Sequence, residues 1–558
     1  MERSDFVIVG GVACGPRTGA TLARRLPGAS ITLFQKEERL SYATCGLPYF
    51  ASGDIGSLEE LESTSYGHRR DAAFFATTKG FKAVTGTEVK AINRADNTIT
   101  AGESATGRVY EHGYGKLVLA TGAIPVKPPF PCADSPYVRS FTRPDDAVAF
   151  RRMAEQGKIE KAIVIGGGFI GCELAEAAGG LWGIDVKLIE KEPQVLPYAL
   201  DPEMAAVVER ELQRQDVDLR TATSVREVMI EPDGRPAVIL GDGEKLSTDF
   251  ALVCVGVRPN ACLAETCGLE IGPTGGIVVN RRMQTSDPDI YAGGDCVESV
   301  HQLTGRPLYL PMGSLANRHG RVIAENLSGN EVAFTGVLGT FLVKVFNMNV
   351  GAVGLSSQMA AKAGMVTDAV WGSFPDKPDY YPESKTFVLK MVYSPDNHRL
   401  LGLQAVGAGD ICRRIDVFSS FLQREATVDD LLTFEHGYTP PYAEALDPLH
   451  HMGAMAQAQM RGVVFLSPGT DLATLTKEAV LLDVREPGEC TEEPFAPALS
   501  VMNIPLDALR MRLNELDHKK RTVVVCKRGP RSYQAALMLK AAGFDKVEVL
   551  AGGLQSLL

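Results

Sequence analysis

One design occurs twice in this chain and leaves little freedom in the fold. Residues 5–26, DFVIVGGVACGPRTGATLARRL, and residues 161–178, KAIVIGGGFIGCELAEAA, each read as an apolar run, a glycine-rich turn and a helix. A second apolar run follows each, SITLFQKE over 30–37 and DVKLIEKE over 185–192. Unbroken apolar runs suit strands buried on both faces, and the strand–turn–helix–strand order predicts parallel pairing. Two such βαβ units predict an α/β protein with two Rossmann-like dinucleotide-binding domains.

The second unit matches G-x-G-x-x-G in full through Gly166, Gly168 and Gly171, with Phe169 and Ile170 between the last two. The first glycine makes the turn, the second lets backbone approach a pyrophosphate, and the third lets the helix lie on the strand. The positive helix end then faces the anion. Glu190 ends the following strand as a ribose-hydroxyl acceptor, and its charge favours NADH by repelling a 2′-phosphate. Lys191 beside it weakens that preference. The first unit is less regular: Gly10, Gly11 and Gly15 are present, but Val12 stands where the middle glycine belongs, followed by Ala13. Its ribose position is Gln35, next to Lys36, so the ribose bond falls to Gln35 or to Glu37.

Residues 114–129, YGKLVLATGAIPVKPP, and 288–296, PDIYAGGDC, both read as an apolar strand ending in small residues. Thr121, Gly122 and Ala123 would turn between domains, Gly256 and Gly294 join the nucleotide-contacting glycines, and Asp295 is poised for the ribityl chain of a flavin. Five segments in this order resemble the flavoprotein disulfide reductases with two dinucleotide-binding domains. The resemblance covers roughly residues 5–450 and implies FAD in the first unit and NADH in the second.

The rest of the chain sets the frame. Its 558 residues predict several domains. A net charge of −11 argues against a nucleic-acid or anionic-membrane partner. No apolar run is long enough to span a bilayer, and the N-terminus enters a strand without signal-peptide architecture. Eleven scattered cysteines with no C-x-x-C predict neither a metal site nor disulfides, and a reducing cytoplasm. Residues 331–450 alternate apolar and polar positions, as in GTFLVKVFNMNVGAVGLS, and predict an antiparallel sheet with helices; the resemblance makes it an α+β dimerisation domain and the protein a homodimer. From 466 a new alternation of strand and helix begins, with LLDVRE, NIPL and C-x4-R-S in order, and resembles an α/β rhodanese domain. The turn before NIPL reads APALSVM and lacks that family's usual histidine. The expected division is FAD-binding over 1–148 and 275–330, NADH-binding over 149–274, dimerisation over 331–450, a linker over 451–465 and rhodanese over 466–558.

Two cysteines carry chemistry. Cys526 ends the strand TVVV and opens the loop CKRGPRS before a helix, so backbone N–H groups, Lys527, Arg528 and Arg531 should favour a thiolate or persulfide anion there. The rhodanese resemblance makes it a carrier of sulfane sulfur, with Arg531 in the same catalytic loop. Cys45 lies in SYATCGLPYF at the start of a helix. Pro48 and Phe50 occupy the positions where C-x-x-C or C-x4-C spacing would put a second thiol, so Cys45 has no internal partner. It must form a mixed disulfide with an external thiol or cycle through sulfenic acid. The first glycine-rich loop carries no histidine to handle peroxide protons, but it does carry Arg17, followed by Arg24 and Arg25, with Lys79 further on. Basic residues near a thiol suit a phosphorylated thiol such as coenzyme A; the plainer alternative for the arginines is a solvated helix face.

The whole chain resembles the coenzyme A-disulfide reductase–rhodanese fusions. That resemblance implies substrate contacts at Arg25, Ser41, Thr44 and Lys79, to which the basic cluster adds Arg17. It also implies two tyrosines reaching the partner subunit's thiol, Tyr438 and one of the Tyr380-Tyr381 pair, with Tyr381 favoured. The implied activity is NADH-dependent reduction of coenzyme A persulfide, polysulfide or coenzyme A disulfide at Cys45, with Cys526 relaying sulfur. The alternatives are an NADH oxidase or peroxidase using Cys45 sulfenic acid, and a sulfurtransferase with a redox-sensing flavoprotein half.

Overall fold

The strand Glu2–Val9 pairs in parallel with Ile31–Phe34 on one side and with Val109–Leu119 on the other. The computed structural model, which describes residues 1–470, 472–475, 478–495 and 500–556, continues this sheet outward. Lys82–Val84 adds at one edge, and Ile290–Ala292 pairs with Leu117–Leu119, so the late segment around Asp295 rejoins the first domain. Val7, Ile8, Leu33, Leu117 and Val118 are fully buried, each contributing about 1.5–3 kcal/mol of apolar burial. A hairpin, Thr87–Asn93 and Thr98–Glu103, hangs from the far side of Val109–Leu119.

The second sheet is built from Asp185–Ile189, Lys161–Ile165, Phe250–Val253 and Val138–Arg139, all parallel. Val138–Arg139 lies before the expected boundary at 149; a two-residue strand leaves no periodicity to read. A three-stranded meander, Val225–Ile230, Pro236–Leu240 and Lys245–Ser247, accompanies this sheet. Residues 1–191 with 223–337 form one compact unit, and residues 192–222 with 338–558 form another.

The second unit contains the predicted antiparallel sheet, in the order Phe341–Val345, Met348–Gly354, Leu400–Gly407, Thr386–Tyr393, Asp368–Pro375. Helix Cys412–Gln423 covers it, burying Ile415, Phe418 and Leu422. The stretch expected as a linker is ordered differently. Helix Pro448–Met460, with Asp447 capping its first turn, buries Met452 and Ala456. Only Arg461–Val463 separate it from the strand Val464–Leu466, which pairs with Val547–Leu550 in the last sheet. That sheet is all parallel, in the order Val464–Leu466, Val547–Leu550, Thr522–Val525, Val480–Asp483, Val501–Asn503. Most of the unusual APALSVM turn, residues 496–499, lies outside the described residues. Among the described residues no helix is long and apolar enough to cross a membrane, and no cluster of His, Cys, Asp and Glu could hold a metal ion.

Candidate active sites

The two glycine-rich loops are built alike, down to what a methyl group would strike. Gly10 and Gly166 have φ of 109° and 106°, a region closed to most side chains. A Cβ at Gly10 would run into the carbonyl of Ala120, and one at Gly166 into that of Cys254. A Cβ at Gly15 would strike the Gly10 carbonyl, and one at Gly171 the Gly166 carbonyl, so each third glycine lets its helix lie on its own turn. Nothing lies within 4 Å of the position a Cβ would take at Gly168, the cap of helix Phe169–Gly179. This open cradle at a positive helix end fits a pyrophosphate.

The residues expected at the ribose positions also correspond. Glu190 accepts from the Gly167 N–H at 2.6 Å, and Gln35 accepts from the Gly11 N–H at 2.8 Å. Both side chains are nearly inaccessible, at 6% and 5%. Gln35 therefore does with a neutral amide what Glu190 does with a carboxylate, and its own amide donates to Glu37 at 3.1 Å. Val12 and Ala13 are half-buried at the head of the first helix, and Lys36 is spent on an exposed pair with Glu88 at 2.7 Å. Thr121 donates to the Asn260 carbonyl at 2.6 Å and Asn260 N–H to that of Gly122, stitching the turn before Ala123 to the strand Val257–Pro259, just past Gly256. Gly294 adopts φ of 82° and donates to His319 Nδ1, and burial pushes the neighbouring Asp295 carboxyl up to about 6, against a backbone bond from Met312. A half-buried carboxyl held this way suits a ribityl hydroxyl. Both nucleotide sites thus fit their groups: Gly10–Gly15, Gln35 and Asp295 would hold FAD, and Gly166–Gly171 with Glu190 would hold the nicotinamide nucleotide.

Cys45 sits on a short 3-10 turn, Thr44–Gly46, that runs into helix Leu47–Ser52 with Pro48 in its first turn. Pro48 and Phe50 are buried and Cys45 and Thr44 are exposed. The sulfur also lies against the start of helix Gly313–Leu327, where a Cβ on Gly313 would be 3.9 Å away. The expected thiolate-favouring helix end is therefore present, but the protein's own groups outweigh it. Although the residue as a whole is exposed, its sulfur is partly enclosed by neighbouring protein; that desolvation first, then Glu173 and Asp295, raise the thiol, against the Gly313 N–H and the Cys45 N–H. Ser41 occupies the left-handed region at φ 47°, with its N–H bonded to the Gly11 carbonyl at 2.8 Å, so the stretch leading to Cys45 is tied to the first glycine loop.

The arginines resolve into a cleft of about 350 Å³ lined by Arg17, Thr21, Arg24, Arg25, Arg321 and Glu325. Arg25 is neutralised by Glu325 at 2.7 Å and Arg24 donates to Thr21, whereas Arg17 forms no ion pair among the described residues. Arg321, from helix Gly313–Leu327, is a member that sequence reading missed, since it lies far along the chain. Lys79 does not line this cleft; its ammonium rests 5.0 Å from the Phe74 ring centre.

In the second unit, Cys526 is almost fully buried and its sulfur accepts from the Gly529 N–H at 3.0 Å. Gly529, at φ 120°, caps helix Pro530–Ala541, and the loop is closed beneath by Leu554 N–H and Gln555 N–H donating to the carbonyls of Cys526 and Lys527. The three cations expected around the sulfur are instead paired with carboxylates. Arg531 forms two bonds to Glu489 at 2.5 and 2.7 Å and holds that carboxyl at about 2. Arg528 grips Asp379 at 2.9 and 2.6 Å, and Lys527 lies 3.6 Å from Glu493. Arg531 thus braces the loop through Glu489 while its charge still acts on Cys526. The Ser532 hydroxyl, in the first turn of that helix, is buried without a partner among the described residues.

Two of the three candidate tyrosines are hydrogen-bonded to each other. Tyr438 hydrogen-bonds with Tyr380, both exposed, whereas Tyr381 lies under Lys377, 5.6 Å from ring centre to ammonium. A tight turn at 378–381 decides which of two adjacent rings faces outward, and that is not written in composition.

Two glycine-cradled dinucleotide sites beside one reactive thiol define an FAD- and NAD(P)H-dependent oxidoreductase. The chain belongs to the pyridine nucleotide-disulphide oxidoreductase family: its model matches residues 4–309, that of the family's dimerisation domain residues 340–450, and a rhodanese-like domain residues 470–558. A relative from Pyrococcus furiosus, an NAD(P)H sulfur oxidoreductase (CoA-dependent), is 34% identical over 80% of this chain and 98% of its own length. Among solved structures, an NAD-dependent persulfide reductase from A. fulgidus superposes with a TM-score of 0.94 at 37% identity, covering 99% of this chain and all of its own. A reduced CoADR-RHD from Bacillus anthracis does so at 0.90 and 32%, covering 100% and 98%.

Proposed function

We propose that this enzyme uses NADH to reduce coenzyme A persulfide, and polysulfide delivered through it, by way of a mixed disulfide at Cys45. One observation carries the reading: a thiol whose helix offers Pro48 and Phe50 instead of a second cysteine shares its chain with a second thiol, Cys526, held in a closed anion-binding loop. In the first step the Cys45 thiolate attacks the coenzyme A-bound sulfur of the persulfide. The S–S bond breaks, hydrosulfide leaves, and Cys45–S–S–coenzyme A forms. Two electrons and a proton then return the Cys45 thiolate and release coenzyme A thiol. FAD, when bound, supplies those electrons by taking a hydride from NADH. Arg17 and Arg321 give the coenzyme's phosphates a cationic cleft, and Ser41 and Thr44 flank the reacting sulfur. Tyr438, with Tyr380 as its hydrogen-bonded companion, reaches the partner subunit's thiol and donates to the leaving sulfur. Cys526 takes sulfane sulfur from polysulfide and hands it to coenzyme A, with Ser532 bonding the terminal sulfur.

Two substitutions divide the roles. Cys45→Ser abolishes NADH consumption with every sulfur substrate; retained turnover would sink the mechanism. Cys526→Ser spares coenzyme A disulfide reduction and weakens use of polysulfide; if both fall together, there is no relay.

A further inference from the structure

Cys45 and Tyr49 are four residues apart on the helical stretch Thr44–Ser52, a spacing that puts both side chains on one face. That stretch packs against helix Phe169–Gly179 of the second nucleotide domain. There the Tyr49 hydroxyl donates to Glu173 Oε1 at 3.4 Å. Glu173 forms no ion pair among the described residues, and burial pushes its carboxyl up to about 7, with the Tyr49 bond opposing and Glu176 adding to the rise. The same carboxylate is the largest charge acting on the Cys45 thiol, ahead of Asp295.

Besides each other, Glu173 and Cys45 feel Glu176 and Asp295 respectively. Arg151, on helix Pro144–Glu155 beside Leu47–Ser52, donates to the Phe50 and Ile55 carbonyls and to Glu155, and stacks on the Phe50 ring. Lys161, Asp185 and Lys187, on the strands beneath helix Phe169–Gly179, do not enter the interactions that shift Glu173. Asp295 and the Gly313 N–H face Cys45 from the first domain with opposite effects.

We propose that Glu173, joined to the Cys45 helix by the Tyr49 hydroxyl, is a positioning residue that governs the ionisation of the Cys45 thiol. This rests on Cys45 being the redox thiol, but it is tested apart from turnover. When Glu173 is protonated the sulfur ionises without that neighbouring charge, against burial and Asp295 alone. When Glu173 is charged, a second negative charge must form beside the first. The thiolate of the native enzyme therefore accumulates more gradually with pH than a lone thiol would. Because Glu173 rides on the helix whose N-terminus is Gly168, the thiol's charge is set from the domain that receives the nicotinamide nucleotide.

The test is the rate at which iodoacetamide labels Cys45 in reduced, desalted holoenzyme, read by mass spectrometry of its peptide from about pH 6 to about pH 11, so that the raised carboxyl and the raised thiol both fall within the range. Glu173→Gln keeps an acceptor for Tyr49 and removes the charge. It should label roughly 3-fold or more faster near pH 8 and sharpen the profile to a single titration. Glu173→Asp keeps the charge and should keep the broad native profile. A Gln profile superimposable on the native one overturns the proposal, as does an Asp variant altered as much as the Gln one, since that pattern means a purely structural role. If Glu173→Gln fails to retain flavin, Tyr49→Phe replaces it. Loss of the donor moves the lower inflection to higher pH, and an unmoved inflection overturns the proposal.

Discussion

Replacing Glu190 tests whether one side chain both closes a loop and selects a coenzyme. Its carboxylate accepts the Gly167 N–H at 2.6 Å while only 6% accessible, so removing it strands a buried donor. Glu190→Ala should cost about 1–3 kcal/mol, the price of an unpaired buried polar group. Glu190→Gln has a built-in precedent: Gln35 accepts the Gly11 N–H at 2.8 Å in the equivalent place of the first loop. The glutamine variant should therefore lose only the charge-assisted part of the bond, about 1 kcal/mol. Both variants remove the negative charge that would repel a 2′-phosphate, and each should improve NADPH relative to NADH by about tenfold, equivalent to about 1.4 kcal/mol. The assay pairs thermal unfolding of the holoenzyme with kcat/KM for both nucleotides. If glutamine destabilises as much as alanine, the parallel between the two loops is false. If neither variant moves the NADPH-to-NADH ratio, Glu190 does not face the ribose 2′ position.

Two further expectations follow from residues whose positions the sequence did not disclose. Tyr438→Phe should lower kcat for coenzyme A disulfide by about 10²-fold and Tyr380→Phe by roughly tenfold, the range of a lost proton donor, whereas Tyr381→Phe should stay near native. Comparable losses at 380 and 381 would dissolve the Tyr380–Tyr438 grouping. Asp379→Ala frees Arg528 from a two-bond contact on a largely exposed carboxylate, so unfolding should shift by no more than about 1 kcal/mol. Polysulfide-dependent NADH oxidation should nevertheless fall several-fold with coenzyme A disulfide reduction unchanged; equal effects on both substrates would show that the contact does not serve Cys526.

Much of this molecule was legible in its residues because its strongest signals are local. Gly10 and Gly15, or Gly166 and Gly171, are required by a turn and a close approach within six residues of each other, so their spacing reports their function. Cys45 could be read as unpaired from Pro48 and Phe50 alone. What stayed hidden depends on residues that are far apart in sequence. The loop of Cys526 looks strongly basic until Asp379, Glu489 and Glu493 are brought to its cations. Arg321 joins Arg17 only because two helices pack, and Glu173 meets Tyr49 only because one domain lies on another. The stretch 451–465 reads as a helix end and a linker; the helix runs on to Met460 and leaves only three residues to link, because Asp447 and Pro448, which start it, lie before the stretch.

That connector has a mechanical meaning. Helix Pro448–Met460 is anchored in the dimerisation fold, and three residues later the chain is already a strand of the rhodanese sheet. A joint of three residues is too short to act as a flexible hinge, and Arg528 clasps Asp379 besides. The rhodanese sheet is therefore bolted to the dimerisation fold rather than leashed to it, and the loop of Cys526 keeps its place on that fold.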